Sequence, residues 1–314
     1  MANLISASRR TDVPRYYARW FIERRRAGSA EFRNAFGISG SVSLRPRDVL
    51  GYVFWTRDPR PLGDELRRIR DEGTPVAVQF TVTPYGVELE PRRPSLEEAL
   101  EGIQWLSRTL PGPGAIQWRY DPIVLCDAYP LAFHLDQFAS LAAQLAPLVR
   151  VVNVSFVEPY RKAVERIADP TVRYRRPEAG RHRWTERTDA APRYAGVSDR
   201  ALLVKLAELA HDHGLELRAC CDPSWGLPPA ACIGDDLFAD YASTERAPIE
   251  ALPRSPSRSG CHCRRSVDLG TPNTCIAGCR YCYVLSSDRS ASANHDRHRP
   301  TDPGLTVPAT ARRQ

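Results

Sequence analysis

The chain has 314 residues, a mass of 35.2 kDa, 42% hydrophobic residues and a formal net charge of +7. That composition can bury a full core, and the length suits one large α/β domain better than two small ones. No run of about 18 apolar residues marks a membrane span, no apolar leader follows Met1, and an odd count of nine cysteines argues for reduced thiols in a cytoplasm over a disulfide framework.

In chain order, the run Leu4 to Ser8 predicts a first strand, and Asp12 is placed to cap a helix that has Pro14 in its first turn and Gly28 just beyond its end. Leu50 to Trp55 predicts a second, buried strand and Pro61 to Glu72 its helix, closed by Gly73. A strand over Val76 to Val82 precedes Ser95-Leu96-Glu97-Glu98, a capping box that opens a helix to Leu110. Ala115 to Tyr120 and Val151 to Phe156 are further strands on either side of a helix through Phe138 to Leu148. Leu203 to His213 is an amphipathic helix ended by Gly214, with the strand Leu215 to Cys220 after it. The segment Pro170 to Tyr194 reads as a long insertion or a lid, and the tail from Ser286, rich in Ser, Asp, Arg, His and Pro, as disordered.

Regular alternation of strand and helix implies a parallel sheet with right-handed crossovers, doubly wound or closed into a barrel. No G-x-G-x-x-G follows the first strand, which removes the main sequence reason for a dinucleotide-binding fold. A polar cluster does recur after the strands: Ser8-Arg9-Arg10-Thr11-Asp12, Trp55-Thr56-Arg57-Asp58, Gln79-Phe80-Thr81, Trp118-Arg119-Tyr120-Asp121-Pro122, Ser155-Phe156-Val157-Glu158 and Cys220-Cys221-Asp222. In a barrel these ends meet at one mouth, where active sites are built. The expected architecture is therefore α/β, a full or partial (β/α) barrel of the TIM-like type over residues 1–250, with a cysteine-rich metal segment at 251–285 packed on it and a disordered tail at 286–314.

Arg9, Arg10, Asp12, Arg119 and Asp121 are the candidate catalytic residues, and Thr56, Gln79, Thr81 and Ser155 candidate cofactor contacts at the mouth. Gln79 and Thr81 alternate with Phe80 and Val82, so they share one face, the lumen in a barrel. Each has a plainer reading. Asp12 serves equally as a helix cap, Arg119 with Asp121 as one buried ion pair, and Trp55 as core.

Five of the nine cysteines lie between Cys261 and Cys282. Cys275, Cys279 and Cys282 read C-x3-C-x2-C, with Gly278 before the middle cysteine and Tyr281 before the last. Three thiolates so spaced can ligate three irons of a [4Fe-4S] cluster and leave the fourth open for chemistry. Cys221, Cys232, Cys261 and Cys263 form a second candidate set, for another [4Fe-4S] cluster or a tetrahedral zinc. A rival grouping joins Cys263 to the triplet as one closed site. Cys126 reads as a buried small hydrophobe, and no H-E-x-x-H occurs.

The motif from Cys275 to Tyr283 resembles the cluster motif of the radical S-adenosylmethionine superfamily, above all its Cys-Arg-Tyr-Cys-Tyr members. That resemblance implies a [4Fe-4S] cluster, S-adenosylmethionine with Tyr281 beside it, an electron donor such as ferredoxin or flavodoxin, and hydrogen abstraction from a small-molecule or nucleotide-type substrate. Arg9, Arg10 and Arg119 would then hold a carboxylate or phosphate, oriented by Asp12 and Asp121. Members of the superfamily carry the three cysteines after the first barrel strand, whereas here they follow every visible strand. Either the barrel is permuted or the loop folds over the mouth from outside. A wider set of stretches is similar to a bacterial domain-of-unknown-function family across most of residues 4 to 283. Those stretches are Ser8 to Asp12, Ser43-Leu44-Arg45-Pro46, Val53 to Thr56, Gln79 to Thr83, Trp118 to Ile123 and the cysteine motif.

Two other classes fit the residues. One is a zinc-stabilised barrel hydrolase or isomerase, with structural cysteines and acid–base work at the strand ends. The other is a zinc-containing nucleic-acid-binding protein using the stretch Arg161 to Arg200, where Arg173, Arg175, Arg176, Arg181, Arg183 and Arg187 concentrate. A solvated basic insertion is the plainer reading of that stretch.

Overall fold

The computed structural model describes residues 2–33, 37–174, 199–221 and 223–306. Most of the Arg-rich stretch, with Arg175, Arg176, Arg181, Arg183 and Arg187, lies outside the described residues.

Strand β1 (Asn3–Ala7) leads to Asp12, whose carboxylate accepts from the Arg15 N–H and caps α1 (Val13–Tyr16). Helix α2 (Ala18–Ala27) follows and ends on Gly28 in the left-handed region, φ 78°. The single helix expected between Asp12 and Gly28 is thus two, because Tyr17 leaves helical geometry at φ −132° and its hydroxyl donates to the Thr274 carbonyl at 2.7 Å. An antiparallel hairpin, β2 (Ser29–Arg33) with β3 (Ser39–Ser43), comes next and carries no β-branched alternation that would have announced it.

The alternation then runs as read: β4 (Val49–Thr56), α3 (Gly63–Asp71), β5 (Val76–Thr81), α4 (Leu96–Thr109), β6 (Ile116–Ile123), α5 (Leu131–Leu145) and β7 (Val151–Phe156). Both halves of the capping box form at α4, Ser95 on the Glu98 N–H and Glu98 on the Ser95 N–H. Helices α6 (Arg161–Ile167) and α7 (Asp199–Asp212), strand β8 (Glu216–Ala219), α8 (Ser243–Glu250), the two-residue strand β9 (Val267–Asp268) and α9 (Asp288–Arg297) complete the described elements.

Seven strands form one parallel sheet in the order β8-β7-β6-β5-β4-β1-β9. From β1 through β8 each strand of this sheet lies beside its predecessor. A doubly wound sheet reverses that order at its switch point, and this one does not. The arrangement is consistent with a partial barrel, with β8 and β9 as the edges of the sheet among the described residues.

Alternation along each strand sorts the side chains. Ile5, Phe54, Phe80, Trp118, Tyr120 and Val154 pack against Phe21, Leu66, Ile103, Phe138 and Leu206 of the helices. The opposite face carries Leu4, Val53, Trp55 and Ala77, covered by Cys232, Ile233, Leu237, Phe238, Ile249 and Leu252 from the segment between β8 and β9. On that face a buried amide set is paired within itself: Gln79 Nε2 donates to Gln117 Oε1 at 2.8 Å, and Asn153 Nδ2 donates to the same oxygen at 2.8 Å. Among the described residues no helix is long and apolar enough to cross a membrane.

The tail expected to be disordered is ordered as far as residue 306. Ser287 caps α9, the Trp20 indole donates to the Asp302 carbonyl at 2.9 Å, and the Glu31 N–H donates to the Pro303 carbonyl at 2.7 Å. Its apolar content is small because backbone carbonyls, with buried Ala291 and Leu305, make the attachment.

His134 is fully buried on α5, its Nδ1 taking the Tyr120 hydroxyl at 2.8 Å and its Nε2 donating to the Val124 carbonyl at 3.0 Å. Burial lowers its pKa to about 4. The unfolded chain therefore binds a proton that the folded one does not between about pH 6.5 and 4, so the contribution is present above pH 6.5 and is lost as pH falls through that window. Urea unfolding is expected to show the stability advantage of the native chain over His134→Gln shrinking by about 2 kcal/mol from pH 7 to pH 5. An unchanged difference would rule this account out.

Candidate functional site

Because β9 runs parallel to β1, the loop after Asp268 emerges at the same end of the sheet as the segments following β1, β4 and β5. Thr11 after β1 meets Thr274 hydroxyl to hydroxyl at 2.6 Å. Arg57 after β4 forms a two-pronged pair with Glu90, 3.0 and 2.6 Å, and donates to the Tyr281 hydroxyl at 2.8 Å. Thr83 after β5 donates to Glu90 at 2.6 Å, and the Tyr281 hydroxyl donates to Glu90 as well. A buried carboxylate beside a guanidinium and two hydroxyls is fully satisfied, which is what its location demands.

The loop between the cysteines is held by its carbonyls. Arg166 donates to those of Gly278, Cys279 and Cys282 at 3.2, 2.8 and 3.3 Å, and Arg92 donates to that of Ile276. Gly278 sits at φ 75°, a turn in the left-handed region that favours glycine. The Cys282 N–H donates to the Cys279 carbonyl at 3.1 Å. Burial pushes the Cys275 thiol up to about 12 and the Cys279 thiol up to about 11. Asp12 is pushed up to about 6 by burial, against hydrogen bonds from Thr56 Oγ1 at 2.7 Å, the Arg57 N–H at 3.0 Å and the Arg15 N–H at 3.1 Å.

A second thiol group lies on the inner face of the sheet. The Cys220 and Cys221 sulfurs lie 3.5 Å apart, and Cys220, Cys232, Cys261 and Cys263 pack in one cluster. Arg119 donates to the Cys232 sulfur at 3.1 Å and Arg258 to the Cys220 sulfur at 3.6 Å. Arg9 stands within electrostatic reach of Cys263 and Cys232, with Trp55 under its guanidinium at 6.0 Å. As they stand, no group of three or more His, Cys, Asp or Glu side chains among the described residues is arranged around a common metal position. The fold gathers the thiols, and they rest on one another.

Several expectations need correcting. Arg9 and Arg10 do not pair with Asp12; both reach Asp268, at 3.6 and 3.4 Å. Asp12 is spent on Thr56, Arg57 and Arg15, so Thr56 serves Asp12 and is 2% exposed. Gln79 lies below the mouth, fully buried, with Nε2 on Gln117 and on the Cys232 carbonyl at 3.1 Å. The Tyr281 hydroxyl is engaged by Glu90 and Arg57. Arg119 does pair with Asp121, which also takes the Ser155 hydroxyl, and Thr81 lies in register beside Arg119. Cys263 joins Cys232 and Cys261, so the rival closed site built on the triplet is not assembled. Sequence reasoning missed Glu90, Arg258 and Asp268, which sit in loops or beside them without periodicity. Cys220, which the sequence places in the polar cluster after its strand, packs with Cys232, Cys261 and Cys263 on the inner face.

A family model described as a domain of unknown function, DUF1848, matches residues 4–284 and so takes in both thiol groups. The chain belongs to the DUF1848 family. No curated protein and no solved structure matches it. The family match runs from β1 through the last cysteine without a break, so the sheet and the cysteine segment fall within one family unit.

Arg57 and Glu90 have side chains only 10% and 1% exposed. Glu90→Gln leaves the guanidinium charge buried without its counter-ion and is expected to cost about 3–5 kcal/mol in denaturant unfolding. Replacing both, as Arg57→Met with Glu90→Leu, should cost clearly less. A double variant as unstable as the single one would show that the pair is not what holds this region.

Proposed function

We propose that this chain is an iron-sulfur enzyme of the radical S-adenosylmethionine type, with Cys275, Cys279 and Cys282 holding a [4Fe-4S] cluster whose fourth iron takes the methionine end of the nucleotide. The observation that carries this is the segregation of the thiols: Cys220, Cys232, Cys261 and Cys263 pack together on the inner face, with Cys221 against Cys220, leaving three soft ligands and no fourth cysteine in the loop. Three thiolates suit a cluster with an open iron better than a closed structural zinc, which takes four ligands.

Topology supports the same reading. Taken from β9, the sheet reads β9-β1-β4-β5-β6-β7-β8, and the cysteine loop follows the first strand of that spatial order. This favours the permuted arrangement over a loop that folds across from outside. The donor set also fits. Partial burial keeps the bare Cys275 and Cys279 thiols protonated at neutral pH, so a bound cation is the natural means of deprotonating them.

When bound, the cluster would pass one electron from a ferredoxin- or flavodoxin-type donor to a carbon–sulfur bond of S-adenosylmethionine, giving methionine and an adenosyl radical that removes hydrogen from the substrate. The chain's own part is positioning. Arg166 and Arg92 fix the loop backbone, and Arg57 with Glu90 locks Tyr281. Arg9, Arg10 and Arg119, oriented by Asp268 and Asp121, present guanidinium groups suited to a carboxylate or phosphate on a small-molecule or nucleotide-type substrate.

Protein purified without oxygen is expected to contain iron and acid-labile sulfide, and its reduced electron paramagnetic resonance spectrum should change on adding S-adenosylmethionine. Cys279→Ala should abolish that change. A spectrum indifferent to the nucleotide, or a triplet carrying zinc without sulfide, would sink the reading.

A further inference from the structure

Two of the thiols outside the triplet are neighbours in the chain, and the backbone turns them toward each other. Cys220 continues the line of β8, its N–H donating to the Val154 carbonyl of β7 at 2.9 Å. In an extended chain the next side chain would point to the other face of the sheet. Cys221 breaks that alternation with φ 61°, an unusual conformation for a residue other than glycine, and the two sulfurs come to 3.5 Å. The turn is braced from outside. Gly260 lies so close to it that a side-chain carbon there would stand 2.7 Å from the Cys221 carbonyl oxygen.

A strained backbone at a pair of reactive side chains points to use rather than packing. Cys220 and Cys221 are both partly exposed, whereas Cys232 and Cys263 are buried, so a small reagent reaches the adjacent pair before those two. Arg258, held by Glu158, donates to the Cys220 sulfur at 3.6 Å and places a positive charge where a thiolate would form. The resting pair is protonated, because its sulfur neighbours and burial push the Cys220 thiol above the ordinary range.

We infer that Cys220 and Cys221 form a vicinal dithiol that closes reversibly to a disulfide by exchange with a small-molecule disulfide such as oxidised glutathione. One sulfur, as its thiolate, attacks the small disulfide and expels one thiol; the other then attacks the mixed disulfide, expels the second thiol and closes the bridge. The pair gives up two protons and two electrons, and the small disulfide takes them up as two thiols. The sulfurs have only to close from 3.5 Å to about 2.05 Å. Adjacent residues hold their Cα atoms about 3.8 Å apart, short of an ordinary bridge's range of about 4.4–6.8 Å, so this one is strained and easily reduced. It opens again where a structural staple stays shut. Arg258 belongs to the segment between α8 and β9, so each closure alters a contact between that segment and the end of β8.

The test uses the full chain, reduced, freed of reductant, held in oxidised glutathione, then unfolded in N-ethylmaleimide and digested with trypsin. The peptide from Ala219 to Arg246 carries Cys220, Cys221 and Cys232. By mass it should be lighter by two hydrogens with a label on Cys232 alone, and should take all three labels once reduced glutathione has been supplied in excess. Replacing either member, as Cys220→Ser or Cys221→Ser, should stop the exchange at the mixed disulfide and raise the glutathione adduct on the remaining sulfur about tenfold over the native chain. Three labels in oxidised glutathione, a bridge to Cys232 or Cys261 instead, a bridge that stays shut in excess reduced glutathione, or an adduct unchanged in both serine variants would overturn the inference. The exchange needs nothing from the triplet, so it stands or falls apart from the radical chemistry.

Discussion

The Asp268 carboxylate docks the start of the cysteine segment on β1 and the residues after it. Strand β9 has two residues, too short to dock by ladder hydrogen bonds alone. Asp268 adds what the ladder lacks, accepting from the Ser6 hydroxyl at 2.8 Å, the Arg9 N–H at 3.2 Å and the Gly270 N–H at 2.8 Å, with Arg9 and Arg10 beside it. These donors come from β1, from the loop just after it, and from the turn that launches the cysteine loop. Their geometry fixes where β9 ends, and therefore the height at which Cys275, Cys279 and Cys282 meet the ends of β1, β4 and β5. A single exposed ion pair contributes little. Here the side chain is 9% exposed and its lone pairs are taken by backbone and hydroxyl donors, so position rather than raw charge is what it supplies.

Arginine does much of the remaining assembly. The chain's excess of basic residues suggested a partner-binding surface, yet many arginines of the site are turned inward. Arg166 and Arg92 clasp loop carbonyls, Arg57 neutralises Glu90, and Arg119 spans Asp121 and a sulfur. The planar guanidinium can address several acceptors at once, which lysine does not do, and a loop with little regular structure needs such multi-point ties. Net charge read from composition is a sum over roles, and it does not separate a surface field from internal scaffolding.

The sheet was legible in the sequence because its outer face obeys period-two alternation and its helices carry caps. Ser95 with Glu98, Gly28 and Gly73 all do locally what their residue types predict. Legibility failed where long-range contacts decide the structure. The helix expected through Tyr17 breaks because that hydroxyl binds a carbonyl 257 residues away, and β9 exists only because β1 lies beside it. In the site, the cysteine triplet was readable from spacing alone, whereas Glu90 and Asp268 become visible only when distant segments are superposed in space. Gln79 was misplaced for a related reason: alternation assigned it correctly to the inner face but says nothing of depth along the strand, and at its depth the partners are Gln117, Asn153 and the Cys232 carbonyl.

The two thiol groups differ in their electrostatic surroundings, and that difference bears on their chemistry. Among the inner-face thiols, the guanidinium groups of Arg119 and Arg258 point at the Cys232 and Cys220 sulfurs, so the protein itself balances negative charge there. Around the triplet, Arg57 is committed to Glu90, Arg166 and Arg92 to loop carbonyls, and Asp12 adds a carboxyl rather than a cation. Three thiolates in that setting would depend on the bound group for their compensation. A site that leaves charge balance to its occupant, and supplies one ligand fewer than closure requires, is suited to exchange a ligand during turnover. On that physical ground we read the triplet, and not the inner-face thiols, as the reacting centre.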